Sequence, residues 1–237
     1  MSTQSSSKQS ATQIFRYVLL SFAFVAYVIC GIVFQVPFLT ILPLFVSLFV
    51  VMLQARVNRF GYLLGGINSV LYAIVYISTG IYASAASALL FSLPIQLMTF
   101  LRWQKHSYEK STVLRKMSNK GRILTLALFL VSWGAILGAL ILLGSDFAIL
   151  DTSVSLLGIL VSLLTMLAYI EYAPLWLLSN ILSLMLTIQV TLTDISFLPH
   201  AVAGVYNLIC TATALFNVFR LYKKQTTTVN EPHPDII

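Results

Sequence analysis

The chain has 237 residues, of which 59% are hydrophobic and 9% are charged, with a formal net charge of +7. A water-soluble domain carries roughly 25% charged residues, so this composition excludes one and leaves an all-α polytopic membrane protein with little mass outside the bilayer. The positive balance is not a nucleic-acid footprint. The basic residues gather at the ends of apolar stretches and in one loop, where orientation and anionic lipid account for them.

In chain order, Met1–Ser10 is polar and Ser-rich, and residues 1–16 are expected to form a disordered N-terminus. Tyr17–Gln35 (17–35) is the first apolar stretch. It lacks a small-residue cleavage site and leads straight into further apolar sequence, so it reads as a retained helix rather than a signal peptide. Phe38–Gln54, Phe60–Tyr82 and Ser84–Leu101 follow, then a basic loop at 105–122, then Ile123–Leu143, Ile149–Tyr169, Leu175–Leu192 and Ala201–Leu221. Each stretch is about 17–23 residues long, enough to cross a hydrocarbon core of ~30 Å as a helix. Backbone groups in lipid must be satisfied within the segment, and runs that are continuously apolar rather than alternating exclude a β-barrel. The polar residues 223–237, with Pro232 and Pro234, are expected to be a short mobile tail.

Eight spans with the N-terminus inside place all 14 Lys and Arg on one side, from Lys8 and Arg16 through the loop Arg102–Arg122 to Lys224. Positive charge near span ends resists translocation. Both termini are therefore expected in the cytoplasm, with the protein multi-pass in the cell (inner) membrane. Asp146, Asp151 and Asp194 fall on the outer side. Cys30 and Cys210 lie inside spans, and His106, His200 and His233 are scattered. No spacing matches a metal or redox motif, and no cofactor is expected.

The long basic loop divides the chain after the fourth span. Phe60–Arg102 and Leu175–Arg220 share an Asn near the start of a span, Asn68 and Asn180, and similar ends, Leu101-Arg102-Trp103-Gln104-Lys105 and Phe219-Arg220-Leu221-Tyr222-Lys223. Adding the preceding span to each gives two three-helix units. Both run from outside to inside, so a linker helix must separate them. The expected plan is a first bundle at 38–104, the linker at 123–143 and a second bundle at 149–222. Two parallel repeats are a known transporter plan, used by the SWEET sugar carriers.

Polar or small residues recur at helical spacing on four spans: Gly61, Gly65, Asn68, Tyr72 and Tyr76; Ser92, Gln96, Thr99 and Trp103; Trp176, Asn180, Ser183 and Thr187; His200, Gly204, Asn207 and Thr211. Steps of three and four put each set on one helix face. Ser, Thr and Gly also serve close helix packing, but amides are costly in hydrocarbon unless paired. Asn68, Gln96, Asn180 and Asn207 are therefore the candidate ligand contacts, with Tyr72, Trp103 and Trp176 as aromatic faces. Neutral amides suit a neutral, hydrogen-bonding ligand, and aromatic faces also attract a cationic ring. No span holds an acid or base near its midpoint, which favours uncoupled, downhill transport. Arg59 and Glu171 occupy matching places in the two units and are candidates for an inner gate. The absence of a nucleophile with a nearby base argues against an enzyme.

The run Glu171-Tyr172-Ala173-Pro174-Leu175-Trp176-Leu177-Leu178-Ser179-Asn180, with Gly65-Gly66-Ile67-Asn68, Leu71-Tyr72, Pro94-Ile95-Gln96 and Arg102-Trp103-Gln104-Lys105, resembles the PnuC family of nicotinamide riboside transporters over roughly Leu53–Lys223. That family carries Glu and then Trp-x-x-Trp-x-x-x-Asn; here the first Trp is Ala173. The resemblance implies a SWEET-like 3+1+3 fold, with the first span as an extra N-terminal helix. It also implies facilitated diffusion of the unphosphorylated vitamin, trapped by a cytoplasmic kinase, and a possible homotrimer. Ligand contacts would fall on Asn68, Gln96, Trp176, Asn180 and Asn207. Relatives are associated with thiamine or riboflavin, and a vitamin-capture subunit of an ATP-driven importer is a further alternative.

Overall fold

A computed structural model describes residues 3–33, 35, 38–78, 88–108, 111–142, 148–193 and 198–230. Among these, eight α-helices follow the order of the eight apolar stretches: α1 (Thr3–Val33), α2 (Phe38–Ala55), α3 (Phe60–Ser78), α4 (Leu93–Lys105), α5 (Asn119–Leu142), α6 (Ala148–Met166), α7 (Tyr172–Thr193) and α8 (Leu198–Asn230). By length and composition, α5 to α8 each hold a segment able to cross a membrane, while α1 to α3 hold shorter apolar runs, Val18–Val33, Ile41–Ala55 and Phe60–Ile74. The outer acids Asp146 and Asp194 lie outside the described residues.

Proline sets several helix starts. Pro94, Pro174 and Pro199 each sit in the first turn of their helix, where a backbone N–H has no intrahelical partner to lose. A π-turn at Ala88–Ser92 runs into α4. Such π-turns are frequent at functional sites.

The helices close a ring. α2 packs on α3, α3 on α4, α4 on α6, α6 on α7, α7 on α8, and α8 back on α2. Exchanging α2, α3 and α4 for α6, α7 and α8 maps the α4–α6 contact onto the α8–α2 contact. α1 packs outside the ring on α8 and α2, and α5 packs on α6. The apolar segment of α5 buries none of its residues. A helix that is hydrophobic all round and unburied must face lipid.

One turn recurs in both halves. After α2, Val57 takes φ 55°, and after α6, Ala168 takes φ 59°. Val57 N–H donates to the Gln54 carbonyl at 2.8 Å and Asn58 N–H to that of Leu53 at 3.1 Å; Ala168 N–H donates to the Thr165 carbonyl at 2.9 Å and Tyr169 N–H to that of Leu164 at 3.0 Å. Both are Schellman closures, which satisfy the last helix carbonyls through a left-handed residue. A β-branched residue there costs roughly 1–2 kcal/mol. Val57 is held in place by burial at 2% exposure.

The segment expected to be a basic loop is instead a docked strap. Ser107–Tyr108 (β1) pairs antiparallel with Ser111–Thr112 (β2), and the chain then crosses the α6–α7 turn. Arg115 N–H donates to the Ala168 carbonyl at 3.0 Å, and Ile170 N–H donates to the Arg115 carbonyl at 2.9 Å. Arg115 Nε reaches the Leu167 carbonyl at 2.8 Å, with its guanidinium over the Tyr169 ring at 4.9 Å. α8 continues to Asn230, into the segment expected to be a mobile tail; residues 231–237 lie outside the described residues. Buried Gln225 accepts from Leu114 N–H and donates to the Thr112 carbonyl, both at 2.9 Å. At the other end, α1 runs back to Thr3 where disorder is expected; residues 3–16 contain no Gly or Pro to stop it.

Candidate functional site

The ring encloses a cavity of about 570 Å³, within the range of small-molecule sites. Gln96 projects into it from α4, Trp176 and Asn180 from α7, Gln54 from α2 and Tyr62 from α3. Ser92 and Phe91 of the π-turn and Thr99 complete the α4 side, with Ser179 and Ser183 on α7. No Asp, Glu, Lys, Arg or His lines it among the described residues.

Gln96 is fixed by close helix approach. A Cβ on Gly65 would lie 2.8 Å from Gln96 Oε1, so the amide lies against α3 because residue 65 is glycine. Gln54 Nε2 donates to the same oxygen at 3.3 Å. With its oxygen engaged, Gln96 has its NH2 group to offer a ligand. Asn180 is the converse: its Nδ2 donates to the Trp176 carbonyl at 2.9 Å, which leaves Oδ1 as an acceptor. The hydroxyls of Thr99, Ser162 and Thr165 donate to the carbonyls of Ile95, Gly158 and Val161 in their own helices, and so offer lone pairs. The polar lining is rich in acceptors and carries no net charge.

The end of the cavity nearest the strap is shut by a compact apolar cluster. Trp103 is fully buried, with Nε1 donating to the Thr165 carbonyl at 2.9 Å, and its ring meets that of Tyr62 edge-on at 4.8 Å. Val57, Leu164, Ile170, Tyr172, Ala173 and Val218 pack with them. Tyr172 borders the cavity, with its hydroxyl buried next to Tyr62. Trp103 is thus part of the closure and faces neither ligand nor interface. Ala173 is also in the cluster, at 0% exposure, so the aromatic of this motif that reaches the cavity is Trp176.

The sequence-predicted contacts divide into two groups. Gln96, Trp176 and Asn180 come together at the cavity. Asn68 and Tyr72 turn instead toward α2: Asn68 Nδ2 donates to Ser47 Oγ at 2.9 Å, and Tyr72 Oη lies 3.2 Å from the same atom. Asn207 is on α8, which contributes nothing to the described lining. Its backbone carbonyl accepts from Thr211 Oγ1 at 2.9 Å, and α8 turns Tyr206 and Cys210 into a second cluster with α1 and α2. The side chain of Tyr76 lies outside the described residues.

The expected Arg59–Glu171 gate pair is not formed. Glu171 Oε1 takes Nη2 and Nε of Arg122 at 2.5 and 3.1 Å and the Met117 N–H at 3.1 Å. Arg59 lies over the Phe60 ring at 5.5 Å. The strap carries Arg122 to the carboxylate first, a closure that spacing along the chain does not reveal.

Two groups of lining residues were missed. Gln54 and Tyr62 flank the α2–α3 turn, where no periodic signal distinguishes them. On α6, Ser155, Gly158, Ser162 and Thr165 face the cavity. Their small-residue spacing was visible, but the stripe carries no amide.

No curated protein sequence matches the chain. The crystal structure of the vitamin B3 transporter PnuC superposes with a TM-score of 0.71 at 22% identity, over 89% of this chain and 92% of that one. The likeness shows a shared fold. A sequence profile of the nicotinamide mononucleotide transporter family matches residues 37–223, which takes in every helix that borders the cavity, and the chain therefore belongs to that family.

Proposed function

We propose that the protein imports nicotinamide riboside by facilitated diffusion. Two three-helix bundles, 38–104 and 149–222, rock about the cavity, with α5 as the linker between parallel repeats. The recurrent turns at Val57 and Ala168 and the exchangeable α4–α6 and α8–α2 contacts support this plan. The charge bias of the sequence supports cytoplasmic termini in the inner membrane, with the strap on the cytoplasmic side.

The observation that carries the choice of ligand is the cavity lining, which joins Gln96, Trp176 and Asn180 without an ionised side chain among the described residues. A ligand carboxamide can accept from the Gln96 NH2 and donate to Asn180 Oδ1. Ribose hydroxyls can donate to the serine and threonine lone pairs. A cationic pyridinium ring is favoured by acceptors and by the faces of Trp176 and Tyr62. A mononucleotide would bring a phosphate into a site where no cation among the described lining residues meets it, which is unfavourable. The transported species on this reading is the nucleoside. A kinase on the cytoplasmic side would trap it by adding the phosphate that the cavity rejects. The homotrimer implied by the family resemblance belongs to the same proposal.

The test is uptake of labelled nicotinamide riboside into sealed vesicles holding the purified protein, without a kinase or ion gradient. Saturable entry that stops at equal concentrations, competed by unlabelled riboside and not by the mononucleotide, is expected. Competition by thiamine or riboflavin alone would keep the carrier and change its substrate, because an acceptor-rich aromatic cavity also suits the cationic ring of thiamine. A folded protein that moves none of them would favour a capture subunit of an ATP-driven importer.

A further inference from the structure

A second cleft, of about 600 Å³, lies where the strap meets α7 and α8. It shares no residue with the central cavity. Its lining joins the cations Lys116 and Arg122 to the apolar side chains of Leu175 and Phe219 and to Tyr222. Glu171 also borders it, but its charge is already met by Arg122. Lys116 is exposed, and no acid among the described residues pairs with it. The cleft sits at the start of α7, the level at which spans leave the hydrocarbon.

We infer that this cleft is a binding site for an anionic phospholipid, its phosphate at Lys116 and the free edge of Arg122 and its acyl chain along Leu175 and Phe219. The chemistry of the lining selects this occupant. A soluble anion has no use for apolar side chains, and a zwitterionic lipid gains little from an unpaired cation. Basic pockets between spans on the cytoplasmic side are suited to such headgroups.

The experiment is native mass spectrometry of the full chain in detergent, with phosphatidylglycerol and phosphatidylcholine as probes. Retention of phosphatidylglycerol is expected to exceed that of phosphatidylcholine by at least about fivefold, the effect of roughly one surface lysine. Lys116→Gln should remove the difference, Lys116→Arg should keep it, and Phe219→Ala should weaken retention of both lipids. Millimolar inorganic phosphate should not displace the lipid. Equal retention of the two lipids, or an unchanged preference in Lys116→Gln, would overturn the assignment to an anionic headgroup. Displacement by inorganic phosphate alone would overturn the lipid in favour of a soluble anion. None of these readouts depends on transport, so failure here is distinct from failure of the nicotinamide riboside reading.

Discussion

α3 and α7 begin alike, yet they use their amides differently. Each follows the same left-handed turn, and each carries an Asn about two turns into the helix. Asn180 stands with Trp176 and Ser183 on the cavity face, its oxygen free to accept. Asn68 is 5% exposed and bound to Ser47 of α2. The reason lies in the neighbours. Gly65 lets Gln96 of α4 lie across α3, so α4 supplies the amide on that side of the cavity and Asn68 holds α2 to α3. Helical spacing puts a polar residue on a face; the packing of the next helix decides whether that face meets ligand or protein.

The contrast can be tested directly. Asn180→Ala is expected to lower riboside uptake at least tenfold at normal membrane abundance, corresponding to ~1.4 kcal/mol. Wild-type uptake in that variant would remove Asn180 from the site. Gly65→Ala drives a methyl onto Gln96 and should lower ligand affinity about fivefold, without Gln96 itself being changed. Isothermal titration would check it, and unaltered binding would mean that Gln96 does not need its present position.

The helix starts differ as well, since Glu171 pairs with Arg122 while no acid among the described residues pairs with Arg59. Arg122→Glu should change the uptake rate about threefold, a modest effect because the pair is partly exposed. Adding Glu171→Arg should restore it if the pair helps hold the inner side shut, and no rescue would reduce the contact to a passive one. Asn68→Ala should change riboside affinity by less than about twofold while lowering stability by ~1 kcal/mol, read as an earlier thermal transition. A large loss of affinity there would place Asn68 back in the ligand site.

The helices were legible because lipid favours continuous apolar sequence, although among the described residues only α5 to α8 hold a segment long enough to cross. Gln96, Trp176 and Asn180 were legible because amides and indoles on apolar faces need partners. The α6 stripe was not, since Ser and Gly fit close packing as well as a cavity. The strap escaped because its partners are backbone carbonyls. Nothing in Arg115 or Gln225 announces that the first will bond Leu167 and the second will bridge Thr112 and Leu114. The basic character of residues 105–122 was visible in the sequence, but their hydrogen bonds are set by turns that fold elsewhere.

The strap also constrains the order of assembly. Its anchors at Ala168 and Gln225 lie downstream of Leu114 and Arg115. A ribosome adds residues from the N-terminus onward, so α2 to α4 enter the bilayer before those anchors exist. The strap cannot complete its docking until the second half has been inserted and the end of α8 has emerged. During that interval Leu114 and Arg115 lack those partners, and their backbone groups must be satisfied by solvent. A nascent chain arrested before Gln225 should therefore be cut by protease within 106–118, and the released full-length protein should resist.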